Sequence, residues 1–183
     1  MNCSWKMVGG VIMLLMIMWG CASDEEKKLA HFENGSAYFE KGEFKSAELE
    51  FKNAVQIDPE YVDAHAKLGE TYLKLGNSQG AFRSYSRVVQ LDDSNIDAQL
   101  KMATFHMLGR QTDQAQELVE KILNKNPNHI DALFLKAGLF DIDKKLDEAE
   151  AIFRRIIQLD SKQTRAYMGL SRIFARKGQL ADS

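Results

Sequence analysis

Five alanines stand 34 residues apart, at Ala30, Ala64, Ala98, Ala132 and Ala166. A fixed period of this length is the mark of a repeat architecture, in which one supersecondary unit is stacked on the next. Other columns keep the same spacing. Gly35, Gly69, Ala103, Ala137 and Ser171 are all small, and Ala47, Ala81, Ala115 and Ala149 are all alanine. Tyr38, Tyr72, His106, Phe140 and Phe174 are all rings, and Phe51, Tyr85, Val119 and Phe153 are all bulky and apolar. Small residues at fixed places let two antiparallel helices approach closely, and a large side chain there would push the axes apart. The bulky columns fill the space beside that contact. Gly42, Gly76, Gly109 and Gly178 follow the first helix of their units, where a left-handed residue ends a helix. Lys144 stands in place of the turn glycine in the fourth unit. Pro59 and Pro127 close the second helix of theirs, with Asp93 and Ser161 in the equivalent places.

Composition allows such a fold. The chain is 45% hydrophobic and 27% charged, with only two prolines to interrupt helices. A net charge of −2 gives no bulk attraction to nucleic acid, although residues 144–183 hold nine Lys or Arg against five Asp or Glu. Both cysteines, Cys3 and Cys21, precede the first helical pattern. The repeats therefore contain neither a disulfide nor a thiolate metal site, and their core rests on packing.

The period and its columns resemble the tetratricopeptide repeat (TPR), a helix–turn–helix unit. The resemblance implies an all-α, right-handed superhelix of antiparallel helix pairs. On this pattern the units are 28–61, 62–95, 96–129, 130–163 and a partial 164–183. Asn34 and Lys136 depart from it by placing polar side chains in an otherwise apolar column.

Ahead of the repeats lies a different signal. Lys6 is the one charge before Asp24, and an apolar run from Met7 to Trp19 is about 13 residues long, against roughly 20 for a spanning helix. A positive start, a short apolar run and small residues before a break compose a secretory signal. Met18-Trp19-Gly20-Cys21 resembles the lipobox of bacterial lipoproteins, with Trp19 the departure from it. The resemblance implies removal of residues 1–20, lipidation of Cys21 and a polar tether over 21–27. Ala22 and Ser23, in place of aspartate, imply the outer membrane in a Gram-negative source, with the protein on its periplasmic face. A second reading of this stretch is an uncleaved amphiphilic anchor.

The repeat resemblance also implies where a protein partner binds, on a concave face lined by the first helix of each pair. Transferred to this sequence, the groove holds Phe32, Ser36, Phe39, Glu70, Leu73, Leu100, Met107, Phe134, Ile142, Met168 and Arg172. Leu108, Asp131, Asp141, Arg165 and Arg176 also fall in its lining. Aromatic residues and methionine commonly anchor interfaces. The same side chains also suit packing within and between units. The Lys, Asn and Arg set with which some relatives grip a C-terminal carboxylate is replaced here by Phe32, Ser36, Asp63 and Lys67, so binding of that kind is not expected. Arg165, Arg172 and Arg176 form a basic stripe, read either as a site for an acidic segment or anionic polysaccharide, or as a solvated face.

No catalytic pattern, metal-ligand cluster or cofactor motif stands out. His31 and His65 share one repeat column and His106 lies in the ring column, while His129 falls in a turn between units. The expected function is a membrane-tethered TPR scaffold for envelope assembly, secretion or polysaccharide export, without a cofactor, enzymatic activity or nucleic-acid binding. The lipobox-like start with GEFKSAELEFKNAVQIDP resembles TPR lipoproteins of exosortase and exopolysaccharide systems, and those of pilus assembly. Two alternatives stand beside it. One is the N-terminal part of a longer repeat protein that self-associates through its last helix. The other is a set of repeats accessory to an envelope enzyme.

Overall fold

The computed structural model describes residues 8–181, with side chains from 24 to 178. The expectations placed on Cys3, on a signal over 1–20 and on lipidation of Cys21 thus lie outside the described side chains. Among the described residues there are nine α-helices and no strand. They are α1 (Val8–Glu40), α2 (Phe44–Ile57), α3 (Val62–Lys74), α4 (Ser78–Leu91), α5 (Ile96–Leu108), α6 (Thr112–Lys125), α7 (Ile130–Ile142), α8 (Leu146–Leu159) and α9 (Thr164–Ala181). The fold is all-α, built as four helix pairs and the first helix of a fifth, as the 34-residue period predicts. Residues 24–27, read as a polar tether, are helical within α1, with Lys27 paired to Asp24. Among the described residues no helix is long and apolar enough to cross a membrane.

The helices gather into two compact units, Met1–Asp92 and Asp93–Ser183. In the first, α2 packs on α1 and α3, and α4 packs on α3. In the second, α6 packs on α5 and α7, α8 packs on α7 and α9, and α5 also meets α7.

The turn inside each pair is the same at all four places. A backbone N–H reaches back five residues, from Glu43 to Tyr38, Asn77 to Tyr72, Gln111 to His106 and Lys145 to Phe140, at 2.8–2.9 Å. This is the six-to-one bond that closes a helix through a left-handed residue. That residue is Gly42 (φ 77°) or Gly76 (φ 70°) in the first unit, and Arg110 (φ 58°) or Lys144 (φ 61°) in the second. The structure therefore corrects two sequence expectations. Gly109 is not the left-handed stop, since its φ is −78°, and the following arginine takes that role. Gly178 does not end a helix, because α9 continues through it to Ala181.

The turns between pairs obey a second 34-residue column, Asp58, Asp92, Asn126 and Asp160. Each caps its second helix by donating its N–H to a carbonyl four residues back. The side chains of Asp58, Asn126 and Asp160 then accept the N–H two residues on, at 2.9–3.1 Å. The backbone bond thus serves a carbonyl near the end of the helix, and the side chain takes up an N–H donor of the loop that follows. A basic residue on the next second helix reaches back to the same loop. Arg87 donates to the carbonyl of Pro59, Lys121 meets the Asp93 carboxylate at 3.1 Å, and Arg155 donates to the carbonyl of Pro127 at 2.9 Å.

Packing explains the columns. Ala47, Ala81, Ala115 and Ala149 are buried, as are Phe51, Tyr85, Val119 and Phe153. A Cβ placed on Gly35 would come within 2.8 Å of the Phe51 ring, and one on Gly69 within 3.0 Å of the Tyr85 ring. Where the second helix offers the smaller Val119, the first helix carries Ala103, and both join one core cluster. In the fourth pair the small column is Ala137, and the Phe153 ring is pressed against Gly169 of α9, where a Cβ would come within 2.5 Å. Ala64, Ala98, Ala132 and Ala166 are buried, but Ala30, Asn34 and Ala37 on α1 are exposed. Asn34 thus breaks an apolar column where solvent covers it. Lys136, the other departure, is half-buried and holds its ammonium 5.9 Å from the Phe140 ring centroid.

Candidate functional site

The groove residues fall on the first helices, and the two units treat them differently. In the first unit the rings are already engaged. Phe32 on α1 packs between Phe51 and Tyr61, with centroids 5.8 and 5.1 Å away. Ser36 donates its hydroxyl to the carbonyl of Phe32 at 2.9 Å, a local bond within α1. Phe39 stands edge-on to Phe44 at 5.3 Å, and the Lys67 ammonium of α3 lies 5.3 Å from the Phe39 ring centroid while pairing with Glu70 at 3.0 Å. Lys67 therefore brings Phe39 and Glu70 into one cluster across α1 and α3. Leu73 is exposed at the end of α3.

In the second unit the face stays open. Leu108 on α5 is 74% exposed and Ile142 on α7 is 50% exposed. They occupy one repeat column on two helices that pack together. Met168 on α9 is 67% exposed. Its column equivalents Leu100 and Phe134 are half-buried, and Met107 packs against the core cluster around Val119. Phe134 packs toward Phe153, with centroids 6.3 Å apart. Leu49, Phe82 and Leu159 are also exposed, but on second helices and in three unrelated columns, which is ordinary for single surface residues. A repeated exposed column is not ordinary in that sense.

The basic stripe is compensated. Arg165 lies 4.3 Å from the Phe134 ring centroid and 3.6 Å from Asp131. Arg172 pairs with Asp141 at 3.3 Å, and Arg176 binds the same carboxylate and the Asp141 carbonyl. An acidic segment would meet cations that already hold carboxylates. Sequence reasoning had both aspartates in the lining but not these pairs. The signal was present in the repeat, since Asp131 and Arg165 are 34 residues apart and so stand side by side on successive first helices.

The histidines serve the framework. His31 bonds Glu50 at 2.6 Å, His106 bonds Gln111 at 2.7 Å, and His129 accepts the Ala132 N–H at 3.4 Å as an N-cap. His65 contacts the carbonyl of Pro59 at 3.0 Å, and burial holds its pKa below the usual histidine value. Among the described residues no group of three or more His, Cys, Asp or Glu side chains is placed to hold a metal ion. Lys28 joins the start of the repeats to the end of α2. It pairs with Asp58 at 2.8 Å and Glu25 at 2.7 Å and lies 5.0 Å from the Tyr61 ring centroid. Hydrogen bonds to those two carboxylates push the ammonium pKa up, and Lys28 holds the Asp58 carboxyl below its usual range.

Comparison with known proteins agrees with this architecture. A TPR-repeat family model matches residues 35–76, and a tetratricopeptide-repeat model matches 76–139. No match was found among curated protein sequences. Among solved structures, a MamA protein superposes with a TM-score of 0.75 at 23% identity, covering 84% of each chain. PilF of Pseudomonas aeruginosa gives 0.68 at 18% identity, covering 86% of this chain and 72% of that one. YrrB, described as a TPR protein with an unusual peptide-binding site, gives 0.70 at 18% identity, covering 87% and 83%. At these identities the likeness is one of fold. With the columns, the repeated turns and two adjoining family matches in agreement, the chain belongs to the tetratricopeptide-repeat family.

Proposed function

We propose that this protein is a membrane-tethered scaffold that captures a partner protein on the first helices of its second unit, in the service of envelope assembly, secretion or polysaccharide export. TPR proteins act as protein-interaction scaffolds, and their fold is generally non-catalytic. The observation that carries the reading is the exposed column of Leu108 and Ile142, with Met168 also exposed on α9. Covering such side chains removes apolar surface from water, at about 25 cal/mol per Å². The ion pairs of Asp131 and Asp141 leave this face close to neutral. It therefore favours an apolar segment over an acidic tail.

The tether rests on Met18-Trp19-Gly20-Cys21. A single acyl chain gives marginal attachment, and several chains give stable anchoring. In cells, Cys21→Ser is expected to abolish partition into the detergent phase and to leave unprocessed or released protein. Unchanged lipid labelling of Cys21→Ser would rule the tether out. The envelope role is supported by that resemblance, and its test is the recovery of envelope partners described at the end of the Discussion.

A further inference from the structure

A pocket of about 80 Å³ opens between α6 and α7. Its apolar wall is made by the buried Val119 and Leu139 and by the half-buried Phe140 ring. Four polar side chains share the same space, Gln116 and Glu120 from α6 and Lys136 and Asp143 from α7.

One repeat further on, α8 and α9 meet at the equivalent place, and there the joint is closed. The Glu150 carboxylate stands between Arg154 at 2.7 Å and Lys177 at 2.6 Å, and Arg154 lies 5.7 Å from the Phe174 ring centroid. The α2–α3 joint is also closed by a cation beside the ring. Lys52 holds Glu48 at 2.6 Å and lies 5.7 Å from the Tyr72 ring centroid.

At the α6–α7 joint the signs are reversed. Glu120 occupies the column of Lys52 and Arg154, Asp143 that of Lys177, and the neutral Gln116 that of Glu48 and Glu150. Two positions that bring cations to one carboxylate in the α8–α9 joint here bring carboxylates to the rim of one pocket beside a ring. The chain leaves them short of a cation. Glu120 accepts the Gln116 amide at 2.7 Å and is in no ion pair among the described residues. Asp143 meets Lys145 at 3.5 Å, with both side chains more than a third in water. Lys136 replaces the leucine of the other joints, Leu68 and Leu170, and it too is in no ion pair among the described residues. Two carboxylates against one ammonium leave the rim with a net negative charge.

We propose that this pocket takes an arginine side chain of a partner protein, whose guanidinium lies beside Phe140 and bridges Glu120 and Asp143 while its stem rests on Val119 and Leu139. A planar guanidinium offers several donors to two carboxylates at once and stacks on a ring, as an ammonium does not. The size points to a side chain carried by a protein, since sites for whole small molecules run to about 300–1,000 Å³. The pocket includes neither Leu108 nor Ile142, so the inference stands apart from capture on the first helices.

The test titrates the full chain, isotope-labelled in detergent micelles, with acetyl-Gly-Arg-Gly-amide and with its citrulline counterpart, which keeps the shape and loses the charge. Backbone NMR should show saturable shifts centred on residues 116–120 and 136–143 with the arginine peptide, weakened by salt, and none with citrulline. Glu120→Gln and Asp143→Asn should each weaken binding about three- to fivefold, the effect of one exposed charge pair. Lys136→Leu, which removes the competing cation, should tighten it by a similar factor, and Leu108→Ser should leave it unchanged. Circular dichroism should be the same for all four variants. Absence of saturable shifts with the wild-type chain, equal shifts with citrulline, or binding indifferent to Glu120 and Asp143 overturns the proposal. A double-mutant cycle in urea that couples Lys136 to Glu120 also overturns it, because the chain's own lysine would then fill the pocket.

Discussion

Replacing Gly169 by alanine tests the packing logic of the repeat where it is tightest. An alanine Cβ there would stand 2.5 Å from Cε1 and Cζ of Phe153. Carbon atoms rest at about 3.5–4.0 Å, so the ring must retreat by about 1 Å. It has nowhere to go, because Phe153 is buried among Leu133, Ala137, Ala149, Ile156 and Ile173. Overpacking of this kind costs about 1–3 kcal/mol. Alanine offsets about 1 kcal/mol of that through helix propensity. The net expectation is a loss of about 1 kcal/mol, reaching ~2 if the backbone of α9 cannot shift. Urea unfolding followed by circular dichroism measures it. The diagnostic is a cycle with Phe153→Leu, which removes the far edge of the ring. In the Leu background Gly169→Ala should become neutral or stabilising, giving a coupling of about 1–2 kcal/mol. Gly178→Ala serves as a control, since a Cβ there meets nothing within 4 Å, and it should gain up to about 1 kcal/mol. If Gly169→Ala stabilises as much as Gly178→Ala and shows no coupling to Phe153, the close-contact reasoning is wrong.

The turns give a prediction of opposite sign. Arg110 and Lys144 hold left-handed φ values that cost a non-glycine residue about 1–2 kcal/mol. Arg110→Gly and Lys144→Gly should each raise stability by up to about 1 kcal/mol after the greater freedom of glycine in the unfolded chain is subtracted, read by urea midpoint. An acid-side effect follows from Lys28 and Asp58. The Asp58 carboxyl titrates below its unfolded value of about 3.9, so its contribution is present above that pH and lost as pH falls through the lower, folded value. Lys28→Met should flatten the loss of stability in that window. An unchanged acid limb would show that the pair does not couple to folding.

Much of the fold was legible in the sequence because a 34-residue period repeats the same packing problem. Ala47, Phe51 and their equivalents could be read as core from their columns alone, and all are buried. Less was legible where one position takes over another's role. Gly109 drew attention as a turn glycine, yet the repeat places the left-handed residue at 42, 76, 110 and 144, whatever side chain stands there. The column of Asp58, Asp92, Asn126 and Asp160 was equally visible but hidden beside the prolines. The groove was legible only as a set of positions. Which residues are open depends on neighbours that spacing does not describe. Phe32 lies against Phe51 and Tyr61, and Phe134 beneath Arg165, whereas Leu108 and Ile142 have no such cover.

The central claim is capture of a partner by the first helices of the second unit. Its most direct test is crosslinking and pull-down from native membranes with the tagged full-length chain, comparing wild type with Leu108→Ser/Ile142→Ser, followed by mass spectrometry. The account predicts a consistent envelope protein with wild type, reduced about tenfold or more in the variant, the size of effect expected from losing interface anchors, while helical circular dichroism is preserved. Equal recovery with the variant, or recovery of the bait alone, would contradict it.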